Sequence, residues 1–276
     1  MRIPFAAAAL IALAALAALA LAPATEARVS SAETESVLVV LAHPDDELTM
    51  APAIAALART GRFVTILHVT RGDAGPGVSA FPPGEELGRV RQAEADCAGK
   101  ALGAAETPNL LLPDGKLGLS AHHDGNAARV LQDHLDLMIG EYDLVLTWGP
   151  DGGYGHSDHR MVSALTTQVV QAMPIDARPK LLYVGIPAGS LPPVPEMADW
   201  ATTDPALLTE SIAYTPGDLE AAKAAAQCHV TQFDAATRAG LVPLFDATIW
   251  QGAVHLRPAF APTAVNAPAQ AVPGGK

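Results

Sequence analysis

Short, nearly continuous apolar runs punctuate the chain at Ser36–Ala42 (SVLVVLA), Phe63–Thr70 (FVTILHVT), Asp143–Thr147 (DLVLT) and Lys180–Ile186 (KLLYVGI). A weaker run lies at Asn109–Leu112 (NLLL). Such runs suit strands covered on both faces of a parallel sheet. Between them, Glu47–Thr60, Glu85–Leu102, Asp124–Glu141 and Asp158–Met173 carry helical patterning. The alternation predicts an α/β fold: an open, doubly wound, mostly parallel sheet with helices on both faces. In such sheets ligands bind beyond the carboxyl ends of the strands.

The pattern loosens after Ile186. Gly189–Pro216, rich in Pro, Thr and Asp, reads as a long loop. Asp218–Arg238 reads as one amphipathic helix, opened by Thr215-Pro216 and an acidic first turn. Ala247–Leu256 is expected to add a strand or hairpin, and residues 259–276 read as a disordered Pro/Ala-rich tail.

The N-terminus changes the domain count. Residues 1–27 hold Arg2, an apolar run from Ile3 to about Ala22, and two small-residue patterns, Ala22-Pro23-Ala24 and Thr25-Glu26-Ala27. That is the layout of a secretory signal peptide, which would make the mature protein secreted or periplasmic. An uncleaved membrane anchor is the other reading, because the run is long enough to span a bilayer. Residues 28–258 then form one domain. Lys+Arg 17 against Asp+Glu 29 gives −12. Without Arg2 and Glu26 the balance is 16 − 28, still −12. No basic patch offsets this, so nucleic acid and anionic membrane surfaces are excluded as expected partners. Cys97 and Cys228 either pair, as an oxidising compartment permits, or serve as two small buried apolar residues.

Two polar clusters follow strand ends. Ala42–Glu47 (AHPDDE) follows the first run, and Gly152–Arg160 (GGYGHSDHR) follows the Asp143–Thr147 run. A catalytic divalent metal takes about three nitrogen or carboxylate ligands and keeps one position for water. His43 and Asp46 could supply two ligands and a histidine of the second cluster the third. The neighbouring carboxylate could then take a proton from the attacking water, and another histidine could stabilise an oxyanion. The bland alternative is a helix N-terminus with acidic first-turn residues beside a flexible glycine turn.

AHPDDE and Gly155–His159 (GHSDH) resemble the signature motifs of the LmbE/PIG-L-like zinc-dependent N-deacetylases. Further similar segments are Thr70–Gly75 (TRGDAG), Arg91–Glu94 with Ala101-Leu102-Gly103, Leu112–Gly115 (LPDG), and Lys223-Ala224 through His229–Gln232 (HVTQ). The resemblance implies a Rossmann-like fold and hydrolysis of an N-acetyl group, commonly on an N-acetylglucosamine-type sugar or conjugate. It assigns His43, Asp46 and His159 to the metal, Zn2+ or else Fe2+ or Co2+. It makes Asp45 the general base and His156 the group that stabilises the oxyanion or protonates the leaving amine. Asp158 would orient a histidine, and Tyr154 would add a donor. Arg91, Glu94, Asp114 and His229 fall on substrate-binding positions. Ser157 and Thr231 depart from the usual Pro and Ser, and the Trp250–Gly252 segment lacks the acidic residue the resemblance leads one to expect. His68, His122, His123, His134 and His255 match no motif and read as structural or surface residues. The expected partner is a small or oligomeric N-acetylated amino sugar. A metal amidase for a larger acyl group and a non-catalytic carbohydrate-binding relative are the alternatives.

Overall fold

The apolar runs form strands β1 (Ser36–Leu41), β2 (Phe63–Thr70), β3 (Asn109–Leu112), β4 (Leu144–Trp148) and β5 (Lys180–Val184), followed by β6 (Glu210–Ala213) and β7 (Ala253–Pro258). The computed structural model describes residues 35–119 and 123–261. The signal reading for residues 1–27, His122 and tail residues 262–276 lie outside the described residues.

The sheet order is β3-β2-β1-β4-β5-β7-β6. Strands β1 to β5 run parallel, and β7 is antiparallel to both β5 and β6. Alternate residues of β1 face opposite sides, as the pleat requires. Val37, Val39 and Leu41 pack against α1 (Ala51–Arg59), α2 (Glu85–Leu102) and α5 (Pro216–Cys228). Leu38 and Val40 pack against α3 (Ala127–Met138) and α4 (Ser157–Ala172). These five β1 residues are fully buried, each burial stabilising by about 1.5–3 kcal/mol. The described residues fall in one compact unit. None of its helices is long and apolar enough to cross a membrane.

Several expectations are revised. The stretch Glu47–Thr60 is a short 3-10 turn, Asp46–Thr49, and then α1, because the Asp46 carboxylate folds back onto the preceding loop and Pro52 opens the helix. The single helix Asp218–Arg238 is two, α5 and α6 (Ala235–Phe245). Between them His229 and Thr231 are held by Glu47 and Glu94, and Asp234 accepts from Thr237 N to cap α6. Gly189–Pro216 contains β6 and two 3-10 turns. The tail begins later than residue 259: Ala259 N donates to Leu181 O, and Phe260 packs under the Arg178 guanidinium. Cys97 of α2 and Cys228 of α5 form a disulfide.

Candidate active site and metal centre

Strands β1 and β4 are neighbours, yet the chain leaves them in opposite directions across the sheet. The two motif loops therefore meet at the crevice where the winding reverses, the usual ligand position of this topology.

The first loop is tightly tied. Asp46 Oδ2 accepts from Ala42 N and His43 N at 3.0 and 2.9 Å, and Asp45 N donates to Glu47 Oε2 at 3.0 Å. Asp45 is held at φ 96°, a region a non-glycine residue enters only when its surroundings impose it. In the second loop, a Cβ on Gly153 (φ +72°) would meet the Trp148 ring at 2.7 Å. This turn is shaped against Trp148, whose ring stacks on His159 at 4.6 Å and 9°. His156 caps α4, its Nδ1 accepting from Asp158 N at 3.2 Å.

These contacts fix where the ring protons sit. His159 Nδ1 lies 3.1 Å from Gly152 O, an acceptor, so Nδ1 carries the proton and Nε2 is a lone pair. His43 Nε2 lies 2.9 Å from Asp114 Oδ1, a close charge contact without hydrogen-bond geometry, and the nearby carboxylate favours the proton on Nε2 with Nδ1 as the lone pair. His43 Nδ1 and His159 Nε2 then stand 3.1 Å apart. Asp46 Oδ1 is 3.1 Å from His159 Nε2, and Asp46 Oδ2 is 3.6 Å from His43 Nδ1. Facing acceptors at such distances repel one another unless a positive charge lies between them. Ligands at about 2.0–2.2 Å around a tetrahedral metal have comparable separations. The donor set fits a divalent cation.

The electrostatics agree. Burial opposes charge on His43, but Asp114, Asp158 and Asp46 outweigh it and lift its pKa well above the ordinary value. Burial likewise opposes charge on Asp46, but His159 and His43 hold it well below the usual carboxylate range. The field that invites a proton invites a cation. His156 also lies within ligand distance of His43 and His159. With Nδ1 used as a cap, its Nε2 carries a proton, which makes it a donor into the site. Burial and the neighbouring His43 and His159 depress its pKa, which favours that neutral form. The grouping of His43, Asp114 and Asp158 is support for His43, since the carboxylates already have chain partners. Asp158 takes Gly115 N and Leu117 N at 2.7 and 3.2 Å, and Asp114 takes Ala74 N at 3.3 Å.

Asp45 opens onto the cleft beside this centre. Burial pushes its carboxyl pKa up, Arg91 only partly offsets that, and the charge of Asp46 adds to it. A raised carboxylate is a better proton acceptor. Tyr154 reaches over the rings of His156 and His159 at 5.9 and 5.2 Å. Burial and the carboxylates Asp46 and Asp45 raise its pKa, so its hydroxyl stays protonated.

Of the four residues expected at the substrate, Arg91, Glu94 and His229 are buried in contacts within the protein, and Asp114 stands beside His43. Arg91 is 3% exposed; its guanidinium donates to Pro44 O at 2.6 Å and Gly72 O at 2.7 Å, and stands 3.2 Å from Asp45 Oδ2. A Cβ on Gly72 would fall 2.3 Å from that guanidinium, so glycine is required there. Glu94 is buried and accepts from Thr231 N and Oγ1 at 2.8 and 2.7 Å. His229 is fully buried with its Nε2 on Glu47 Oε1. Asp114 touches His43, and the more distant Asp158, 3.7 Å away, chiefly clamps residues 115–117. Helix spacing showed which residues share a face but not which distant loop they meet.

His68, read as a structural or surface residue, is structural: it lies buried in β2 with its Nε2 3.1 Å from Glu47 Oε2. A histidine in a buried strand needs a polar partner, and that was its signal. The motifs gave no sign of a cleft of about 730 Å³ that runs from Asp45 and Asp46 between residues 194–200 and α6. Its lining comes from scattered apolar positions.

Fold and site together define an α/β domain with a histidine–carboxylate centre suited to a divalent cation. Residues 38–170 match the family model described as PIG-L: GlcNAc-PI de-N-acetylase. Among curated proteins it is similar to 1D-myo-inositol 2-acetamido-2-deoxy-alpha-D-glucopyranoside deacetylase of Rhodococcus erythropolis. The two are 32% identical over 170 residues, covering 54% of this chain and 58% of the relative. The chain thus spans little more than half the length of the curated relatives it matches. Among solved structures it resembles N,N'-diacetylchitobiose deacetylase from Pyrococcus horikoshii (TM-score 0.58, 18% identity, 82% of this chain and 84% of that one). It also resembles GalB, the 4-carboxy-2-hydroxymuconate hydratase from Pseudomonas putida KT2440 (TM-score 0.56, 19% identity, 85% and 100%). The fold is common to a deacetylase and a hydratase, so the reaction has to be argued from the site.

Proposed function

We propose that this protein is a metal-dependent N-deacetylase acting on an N-acetylglucosamine-type sugar or conjugate. The observation that carries the reading is the convergence of His43 Nδ1, His159 Nε2 and the Asp46 carboxylate within 3.1–3.6 Å of one another beside Asp45. His43, Asp46 and His159 would hold the cation, and the nitrogen-rich set suits zinc, with iron or cobalt also accommodated. Such a cation supplies Lewis acidity, lowering the pKa of a water and drawing charge from an amide carbonyl. Asp45 takes the proton of the attacking water, held in place by Arg91 and by its own N–H on Glu47. His156 Nε2–H donates to the oxyanion as charge develops. The proton held by Asp45 passes on to the departing nitrogen, so that the C–N bond gives a carboxylic acid and a free amine. Tyr154 adds a second donor at the same face. The Rhodococcus relative's name and the family description both specify deacetylation of an acetylated glucosamine, which supports the substrate class.

We further propose that the protein works outside the cytoplasm. The Cys97–Cys228 disulfide supports this, since such bonds persist in oxidising compartments. Recovery of the native protein in the cytoplasmic fraction with both thiols reduced would count against it.

The direct test offers metal-loaded protein N-acetylglucosamine, its glycosides and short oligomers, and measures free amine with and without a chelator. Chelator-sensitive release is expected. Asp45→Asn should keep its metal while turnover falls by roughly 10²–10⁴. Release that survives both chelation and Asp45→Asn would rule the mechanism out.

A further inference from the structure

The cleft beside the metal centre is far larger than an acetyl group requires, and its chemistry is specific. At about 730 Å³ it has the size of a site for a whole small ligand. Its floor is apolar: Leu48, Trp148, Met197 and Phe245 line it and are all nearly inaccessible. One wall is a stripe of α6, Thr237, Gly240, Leu241, Leu244 and Phe245, at the spacing of one helix face. Leu241 and Leu244 of that stripe remain half-exposed and line the cleft, Leu241 also packing against the core. The opposite wall carries Trp200, whose ring meets Tyr154 at 5.4 Å. Exposed polar groups, Glu196, Asp234 and Thr237, stand at the rim.

We propose that the cleft binds a linear N-acyl chain longer than acetyl, attached directly to the carbonyl that is attacked beside Asp45. This rests on the metal-dependent amide-hydrolase chemistry proposed above, keeps its amino-sugar substrate, and replaces the acetyl group of that reading with a longer acyl chain. Asp45 and Asp46 line the cleft together with Leu48, Trp148, Met197 and Phe245, and Thr49, Tyr154 and Gln232 are the further polar groups in a mostly apolar lining. Whatever enters there next to the reacting carbon meets hydrocarbon. A sugar ring on this floor would lose the water on its hydroxyls and find few partners, a cost a methylene chain does not carry. An alkyl group on the glycosidic oxygen is separated from the reacting carbonyl by the ring, so the ring itself would have to occupy the apolar floor. The acyl chain is the part of the substrate that matches the lining.

The experiment uses the metal-loaded full chain with N-acetyl-, N-butanoyl- and N-octanoylglucosamine, and with the octyl glycoside of N-acetylglucosamine. It reads kcat/KM for amine release. Burial of each methylene is expected to add about twofold to fourfold. Octanoyl should therefore exceed acetyl by roughly 50-fold or more, with no such gain for the octyl glycoside. Leu241→Arg, placing a charge on the wall, should reduce the octanoyl-to-acetyl ratio at least about tenfold, and the milder Leu244→Ala should reduce it less. Measurable acetyl turnover with a flat or falling acyl series would overturn the proposal while leaving the hydrolase reading standing. A gain confined to the octyl glycoside would also overturn it, assigning the cleft to the aglycone. No amine from any of the four with metal bound would overturn both.

Discussion

Asp46 and Glu47 are adjacent carboxylates, and each lies between two histidines. Around Glu47, His68 and His229 present Nε2 to the two oxygens, while their Nδ1 atoms are buried without a partner. The protons therefore sit on Nε2 and point at the carboxylate, which also receives Asp45 N–H. Around Asp46, the far side of the His159 ring meets Gly152 O as an acceptor, and the far side of the His43 ring faces the Asp114 carboxylate at 2.9 Å as a charge contact. Their protons point away, and lone pairs face the carboxylate. The first cluster is complete as a hydrogen-bonded strut under Asp45, whereas the second needs a cation. Residue type does not separate the two. The acceptor on the outer ring nitrogen does.

The comparison can be broken at that outer acceptor. Asp114→Asn weakens the hold on the His43 proton, and metal affinity should fall by about 10–100-fold, the usual effect of removing such an outer partner. Unchanged affinity by competition with a chromophoric chelator would show that the far-side acceptor does not set the ligand state. The strut is expected to respond in stability instead. In Glu47→Gln the amide meets an N–H donor from His229, His68 or Asp45, and unfolding free energy should drop by about 2–3 kcal/mol. Burial opposes charge on Glu47, but His229 and His68 outweigh it and depress its folded pKa below the carboxylate range. Its stabilisation is therefore present above the unfolded value of about 4.3 and is lost as pH falls below it. Wild type should lose stability on acidification below that point more steeply than Glu47→Gln. Parallel denaturation midpoints in the two proteins across that range would contradict the strut assignment.

Much of this was legible in the chain. The β2, β3 and α2 boundaries follow directly from apolar periodicity, and the two motif loops lie where a doubly wound sheet puts its ligand. The residues that would hold a cation come from those two loops, which the β1–β4 pairing makes neighbours. What was not legible depends on contacts between distant segments. The break between α5 and α6 exists because His229 and Thr231 are held by Glu47 and Glu94, far away in sequence. Arg91 and Glu94 share a helix face that meets loops at Pro44, Gly72 and Thr231 rather than an open pocket. The cleft is assembled from positions such as Trp148, Met197 and Leu244, each of which reads in isolation as ordinary core.

The central claim is that one adjacent carboxylate holds a cation and the other does not. Bound metal per chain, measured by elemental analysis after dialysis, separates them in wild type, Asp46→Asn and Glu47→Gln. The expected result is one equivalent in wild type and in folded Glu47→Gln, and little or none in Asp46→Asn. Full occupancy in Asp46→Asn, or equal loss in folded Glu47→Gln, would contradict it.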